Sequence, residues 1–261
     1  LEAVVERKAA LVARWMGVGF IHGVMNTDNT SVSGETIDYG PCAFMDAYDP
    51  ATVFSSIDRR GRYAYANQPG IAQWNLARLA ETLLPLVDAD PARAVERLTP
   101  AVQGFAGHFE RHWLDGMRRK LGLAGAEADD AALARALLDA MQAAAADFTA
   151  TFRRLAELAA GEGDAPEGLG NWTARWRARL ARDPQAPAER AAAMRAVSPT
   201  VIPRNHHVEA ALAAAVDEED FAPFERLLAV LARPFEARPE AAPYLGPPVN
   251  IDPAYRTFCG T

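Results

Sequence analysis

The apolar positions near the start of the chain fall at helical spacing: Val4, Val5, Leu11, Val12, Trp15, Met16 and Val18. Such a stripe is what one buried face of a helix requires. Gly17, Gly19 and Gly23 then loosen the pattern, and residues 21–40 change character. They are polar and turn-rich, with β-branched Val32, Thr36 and Ile37, which reads as short strand and turn. Helical periodicity returns from about Pro69 to Val87, with Pro69 in the first turn, where its missing N–H is not needed. Beyond it the chain reads as almost wholly helical over 91–121, 128–160, 171–182, 186–196, 206–216 and 219–232. The breaks fall at Gly122–Asp129, Gly161–Gly170, Asp183–Pro187 and Ser198–Pro203. The alanine runs Ala143 to Ala146 and Ala213 to Ala215 favour helix. The proline-rich tail from Pro234 reads as irregular. The fold class this predicts is mainly α.

The non-helical stretch carries the chemistry. Ser33-Gly34 can act as a two-residue turn between two short strands, forming a β-hairpin. The register that follows sets Val32 opposite Glu35, Ser31 opposite Thr36, Thr30 opposite Ile37 and Asn29 opposite Asp38. Opposed residues in an antiparallel pair project to one face with Cα atoms about 4.5–5.5 Å apart. An amide oxygen and a carboxylate would then converge on one point. Mg²⁺ takes hard oxygen ligands, one or two from protein and the rest from phosphate and water. Asp28 precedes Asn29 and would point away from it, towards a substrate, where its carboxylate could accept a proton from a hydroxyl. Taken alone, these residues fit a surface hairpin with acidic decoration better than a metal site.

Composition narrows the function classes. The chain has 261 residues, half of them apolar, and 27 basic against 34 acidic side chains give a net charge of −7. That argues against a nucleic-acid footprint. No apolar run reaches the roughly 18 residues that span a bilayer, and no secretory signal is evident. A cytoplasmic bacterial protein is the expectation, with no membrane or nucleic-acid partner. Two cysteines, Cys42 and Cys259, make neither a disulfide framework nor a thiolate zinc site. The chain opens at Leu1 inside a helical pattern, which reads as a truncated start.

The full string is more specific than its parts. His22-Gly23-Val24-Met25-Asn26-Thr27-Asp28-Asn29, followed by Thr36-Ile37-Asp38-Tyr39-Gly40-Pro41, resembles the selenoprotein O family of kinase-like adenylyltransferases. The resemblance continues in Phe44-Met45-Asp46, Gly61-Arg62-Tyr63, Asn67-Gln68-Pro69 and Trp74-Asn75-Leu76. It returns in Pro203-Arg204-Asn205-His206, Pro247-Pro248 and Thr257-Phe258-Cys259-Gly260-Thr261. It implies a protein-kinase-like C-lobe portion over 1–121, holding the catalytic and metal loop, then a helical C-terminal extension over 122–261. Kinases place a catalytic base and an asparagine metal ligand on one loop and a second metal-binding aspartate just after it. Asn29 and Asp38 match the two metal ligands, Asp38 also serving the nucleotide. The usual base position falls on Val24, which cannot accept a proton, so the resemblance gives that role to Asp28.

The implied activity is AMP transfer from ATP to Ser, Thr or Tyr hydroxyls of proteins, with Mg²⁺ or Mn²⁺ as cofactor and ATP held reversed relative to a kinase. A small-molecule phosphotransferase and a non-catalytic, redox-regulated interaction module are the competing readings. The glycine-rich loop and phosphate-binding lysine of a nucleotide-binding lobe are not found; the only lysines, Lys8 and Lys120, lack that context. The chain is therefore expected to carry the metal-binding half of a site and to be inactive alone.

Other residues carry weaker signals. Cys259 reads either as a redox residue or as a plain tail cysteine, and a Cys42–Cys259 disulfide would tie the tail to the site. Asn205 is placed as a helix cap. His108 and His112 sit four apart without a zinc-protease arrangement. Trp172 and Trp176 read as core. Arg59, Arg60 and Arg62 form a small basic loop near the site, solvated or in contact with a substrate.

Overall fold

The computed structural model describes residues 1–248 and 255–258. Ten α-helices account for most of these, and strand among the described residues is limited to β1 Phe20–Ile21 and β2 Ala43–Phe44. The mainly α class is borne out. Among the described residues no helix is long and apolar enough to cross a membrane. The chain divides into two compact units. The first takes in Leu1–Cys42, Pro50–Gly116 and the described residues from Tyr255; the second takes in Ala43–Asp49 and the described residues between Met117 and Ala254.

In the first unit, α1 Glu2–Gly17 buries Val5, Ala9, Val12 and Trp15 along one stripe. α2 Gln68–Val87 packs on α1 and on α3 Pro91–Gln103. Its buried residues are Gln68, Ala72, Asn75, Leu76 and Ala80, a helical stripe that contains two amides. The expected helix over 91–121 is two helices, because α3 gives way to α4 Phe105–Lys120 at Gly104.

In the second unit, α5 Asp130–Ala143, α6 Phe148–Ala159, α7 Gly170–Leu180 and α8 Pro187–Val197 enclose Leu137, Met141, Phe152, Trp176 and Met194. Trp172 and Trp176 are core as expected. Their rings stack 5.7 Å apart, and their indole N–H groups donate to Leu133 O and Leu121 O at 2.9 Å. α9 Asn205–Asp217 and α10 Ala222–Leu231 pack as a pair.

Two local expectations are corrected. The Ala143–Ala146 run does not continue a helix. Ala145 turns at φ +47°, and the Asp147 carboxylate caps α6 by accepting from Ala150 N at 2.7 Å. Asn205 does not cap α9. The N-cap is Arg204, whose guanidinium is buried against Asp46 and Asp147.

Candidate functional site

The expected hairpin does not form as two strands. The turn is present, with Gly34 N donating to Ser31 O at 3.5 Å, but its flanks carry no ladder. One backbone group that a ladder would use is engaged elsewhere, and side-chain bonds fix the rest of the segment. Ile37 O accepts from His22 Nε2 at 2.8 Å; a carbonyl can only accept, so that nitrogen bears the proton. The Trp15 indole donates to Thr36 Oγ1 at 2.9 Å, and Ser33 Oγ donates to Glu35 at 2.8 Å. The flanks of the turn are thus held by Trp15 and His22, and the bonds within the segment stay local to the Ser31–Glu35 turn.

The three site residues sit on two arms. Asp28 and Asn29 lie in a single 3₁₀ turn, Thr27–Asn29. Asp28 is exposed and Asn29 half-buried. Asp38 is exposed on the second arm at φ +56°, and its Oδ1 accepts from Gly40 N at 3.4 Å.

Both arms are fastened to the same three residues. Asn29 Nδ2 donates to Val24 O at 3.3 Å. The second arm is held by His22 through Ile37 O. His22 and Val24 are two residues apart, at most about 7 Å along an extended backbone. Gly23 lies between them at φ +83°, where a side chain is strained, and a β-carbon there would meet Pro41 O at 2.6 Å. The Tyr39–Pro41 stretch therefore crosses directly over Gly23. Burial pushes the His22 imidazole below its ordinary pKa, while the Ile37 carbonyl and the nearby Asp38 carboxylate pull it back up. Burial raises the Cys42 thiol, helped by Asp38, and Cys42 Sγ donates to Tyr39 O at 3.1 Å.

A second layer of amides holds the His22–Met25 backbone. Gln68 accepts from His22 N at 3.0 Å and donates to Phe20 O at 3.0 Å. Asn75 donates to Met25 O at 3.0 Å and to Thr30 Oγ1 at 3.1 Å. Tyr63 donates to Asn26 Oδ1 at 2.6 Å, and Asp58 in turn accepts from Tyr63 N at 2.8 Å. From the far end of the chain, Thr257 Oγ1 donates to Pro41 O at 2.6 Å. None of these supports was assigned a role from sequence. The available signal was two amides, seven residues apart, on the apolar stripe of α2.

A hard cation takes oxygen donors. The Asn29 amide nitrogen is committed to Val24 O, which leaves its oxygen as the atom that side chain can offer. Val24, at the position of a kinase base, is 4% exposed and part of the core. The basic loop is exposed as expected, and Arg62 stacks over Trp74 at 4.9 Å. His108, Arg111 and His112 all converge on Glu6. Cys259, and with it the Cys42–Cys259 disulfide, lies outside the described residues.

The family described as Protein adenylyltransferase SelO matches residues 1–232. A protein nucleotidyltransferase YdiU from Rhizobium etli (strain CIAT 652) is 60% identical over 269 residues, covering 100% of this chain and 54% of that protein. One from Rhizobium johnstonii has the same identity and coverage. One from Bradyrhizobium sp. (strain ORS 278) is 58% identical over 270 residues, covering 100% of this chain and 55% of that protein. The chain spans about half the length of the curated relatives it matches.

Proposed function

Because the chain belongs to the SelO family, we propose that the intact protein is a nucleotidyltransferase that moves AMP from ATP onto Ser, Thr or Tyr hydroxyls of other proteins. One observation supports this reading above the others: Asn29 and Asp38, both oxygen donors, hang from arms fastened to the same His22–Val24 run. Asn29 Oδ1 and the Asp38 carboxylate would hold Mg²⁺ or Mn²⁺. That cation supplies charge neutralisation on phosphate oxygens when bound. Asp28, exposed on the turn that carries Asn29, accepts the proton of the attacking hydroxyl. The hydroxyl oxygen bonds to the α-phosphorus, the bond from that phosphorus to the bridging oxygen breaks, and pyrophosphate leaves. The rigid backing from Gln68 and Asn75 keeps the loop in place, so little reorganisation is needed as the reaction proceeds.

The experiment uses the full-length protein with labelled ATP. Label from the α-phosphate should appear on protein and vanish in Asp38→Ala. Transfer of γ-label instead would replace this reading with a kinase. The chain alone is proposed to hold the metal-binding half of the site and little of the nucleotide pocket. Micromolar binding of Mg–ATP by this chain in isothermal titration would overturn that.

A further inference from the structure

A cavity beside the site loop is lined by two residues, Lys8 and Asn75, that each carry a polar atom the fold leaves without a partner. It measures about 270 Å³, and its walls include Val4 and Lys8 of α1, Val32 of the loop, and Asn75, Leu76 and Leu79 of α2. Lys8 is 3% exposed. Among the described residues, no hydrogen bond or ion pair reaches its Nζ. Burial lowers its pKa to about 8, so near pH 7 the ammonium is still mostly charged and lacks a counter-ion. Asn75 is 4% exposed. Its Nδ2 is used twice, on Met25 O and Thr30 Oγ1, but its buried Oδ1 has no partner. A buried charge and a buried acceptor left unmatched are both costly, and a ligand that matches them relieves that cost.

Most of the remaining polar side chains around the cavity are already engaged, Thr27 on the exposed rim excepted. Thr30 Oγ1 donates to Asn26 O at 3.1 Å. Ser31 Oγ bonds with Ser33 Oγ at 2.7 Å. Thr82 Oγ1 donates to Leu79 O at 2.7 Å, and Arg78 pairs with Glu81 at 2.6 Å. A phosphate would find one free cation and mostly apolar wall, which is a poor match. A carboxylate with an aliphatic body and one neighbouring N–H matches both buried unmatched groups and the apolar wall. The volume lies below the roughly 300–1,000 Å³ of drug-sized sites, which suits about one residue.

We propose that this cavity binds the C-terminal residue of a peptide chain, its carboxylate on Lys8 Nζ, its amide N–H on Asn75 Oδ1 and its aliphatic side chain against Val4, Val32, Leu76 and Leu79. This is terminal-carboxylate capture by a lysine and an amide. Because Asn75 also fixes Met25 O and Thr30, an occupant bears on the backbone at either side of Asp28 and Asn29. The site does not depend on nucleotide transfer.

The test is titration of the folded chain with acetyl-Ala-Ala-Leu bearing a free carboxylate, with the same peptide ending in an amide, and with N-acetyl-leucine. The free acid should bind at least tenfold more tightly than the amide. Lys8→Met should erase that difference, and Val32→Trp, at a position 55% exposed, should weaken the acid at least tenfold without disturbing the core. N-acetyl-leucine binding as tightly as the tripeptide would support the site and show that a small N-acyl amino acid suffices. Tighter tripeptide binding would support a peptide as the source. Equal affinity for acid and amide, no binding at millimolar peptide, or an acid preference that survives Lys8→Met would each overturn the proposal.

Discussion

Gly23 passes so close beneath Pro41 that a single added methyl group would lie 2.6 Å from the Pro41 carbonyl oxygen. Its φ of +83° already disfavours any side chain. Gly23→Ala therefore carries left-handed strain of about 1–3 kcal/mol before the backbone clash is counted. Urea unfolding should show a loss above about 2 kcal/mol. Gly70→Ala is the control. It lies in α2 with nothing within 4 Å of an added β-carbon, and helix propensity predicts a gain of about 0.5–1 kcal/mol. Similar effects from the two substitutions would refute the close approach at Gly23.

Gln68→Leu should be among the more damaging conservative-volume changes in the first unit. It orphans His22 N and Phe20 O, both of which bond to this amide at 3.0 Å. Each buried group left unsatisfied costs about 1–3 kcal/mol. Equilibrium unfolding with a loss under about 1 kcal/mol would show that the clamp is dispensable.

Lys120 gives the second unit a measurable response to alkali. Its ammonium is buried, 3.4 Å from Ser198 Oγ and 4.1 Å from the centre of the Phe152 ring. Burial lowers its pKa from 10.5 to about 7. Between those values the unfolded chain binds a proton that the folded chain has released, so stability rises with pH from about 7 to 10.5. Below about 7 both states are protonated and the full cost of the buried charge is present. Lys120→Met should be more stable than the parent at pH 7, by at least about 1 kcal/mol, and should lose the alkaline rise. Denaturation curves at pH 6, 8 and 10 check both points; parallel pH profiles would refute the assignment.

Glu6 should govern part of the acid limb. The Arg111 guanidinium, then His112, hold its carboxyl down at about 2 against an ordinary 4.5. A depressed acid contributes stability above its unfolded value and loses it as pH falls from about 4.5 through 2. The side chain is partly exposed, so water screens the effect. Thermal melts between pH 7 and 2 should fall less steeply for Glu6→Gln than for the parent below pH 4.5.

The helices were legible wherever periodicity and breakers agreed. Pro69 marked the start of α2, and the breaks at Gly122–Asp129 and Gly161–Gly170 separate observed helices. Propensity misled at Ala143–Ala146, where capping by Asp147 and tertiary pairing prevailed: Tyr48 N donates to Ala146 O at 2.9 Å, and Phe148 N to Asp46 O at 2.8 Å. The residue string around Asp28 was enough to identify the family. The hairpin was not the right geometry for it. Local turn chemistry at Ser33-Gly34 says nothing of where Trp15 or His22 will place their N–H groups, and those partners lie outside the window a turn motif reads. Gln68 and Asn75 escaped notice for a related reason. An amide on an apolar stripe gains meaning only once the backbone it must satisfy is known.

The Thr257 hydroxyl that grips Pro41 O is 216 positions further along the chain. Translation at about 5–20 residues per second separates the two by roughly 10–40 s. Throughout that interval the Asp38 arm can be held by His22 but lacks the Thr257 contact, while Gln68 and Asn75 follow within a few seconds. The site loop is thus an early product of synthesis that is latched late. A chain released before Thr257 would carry the acidic loop without that one latch on Pro41.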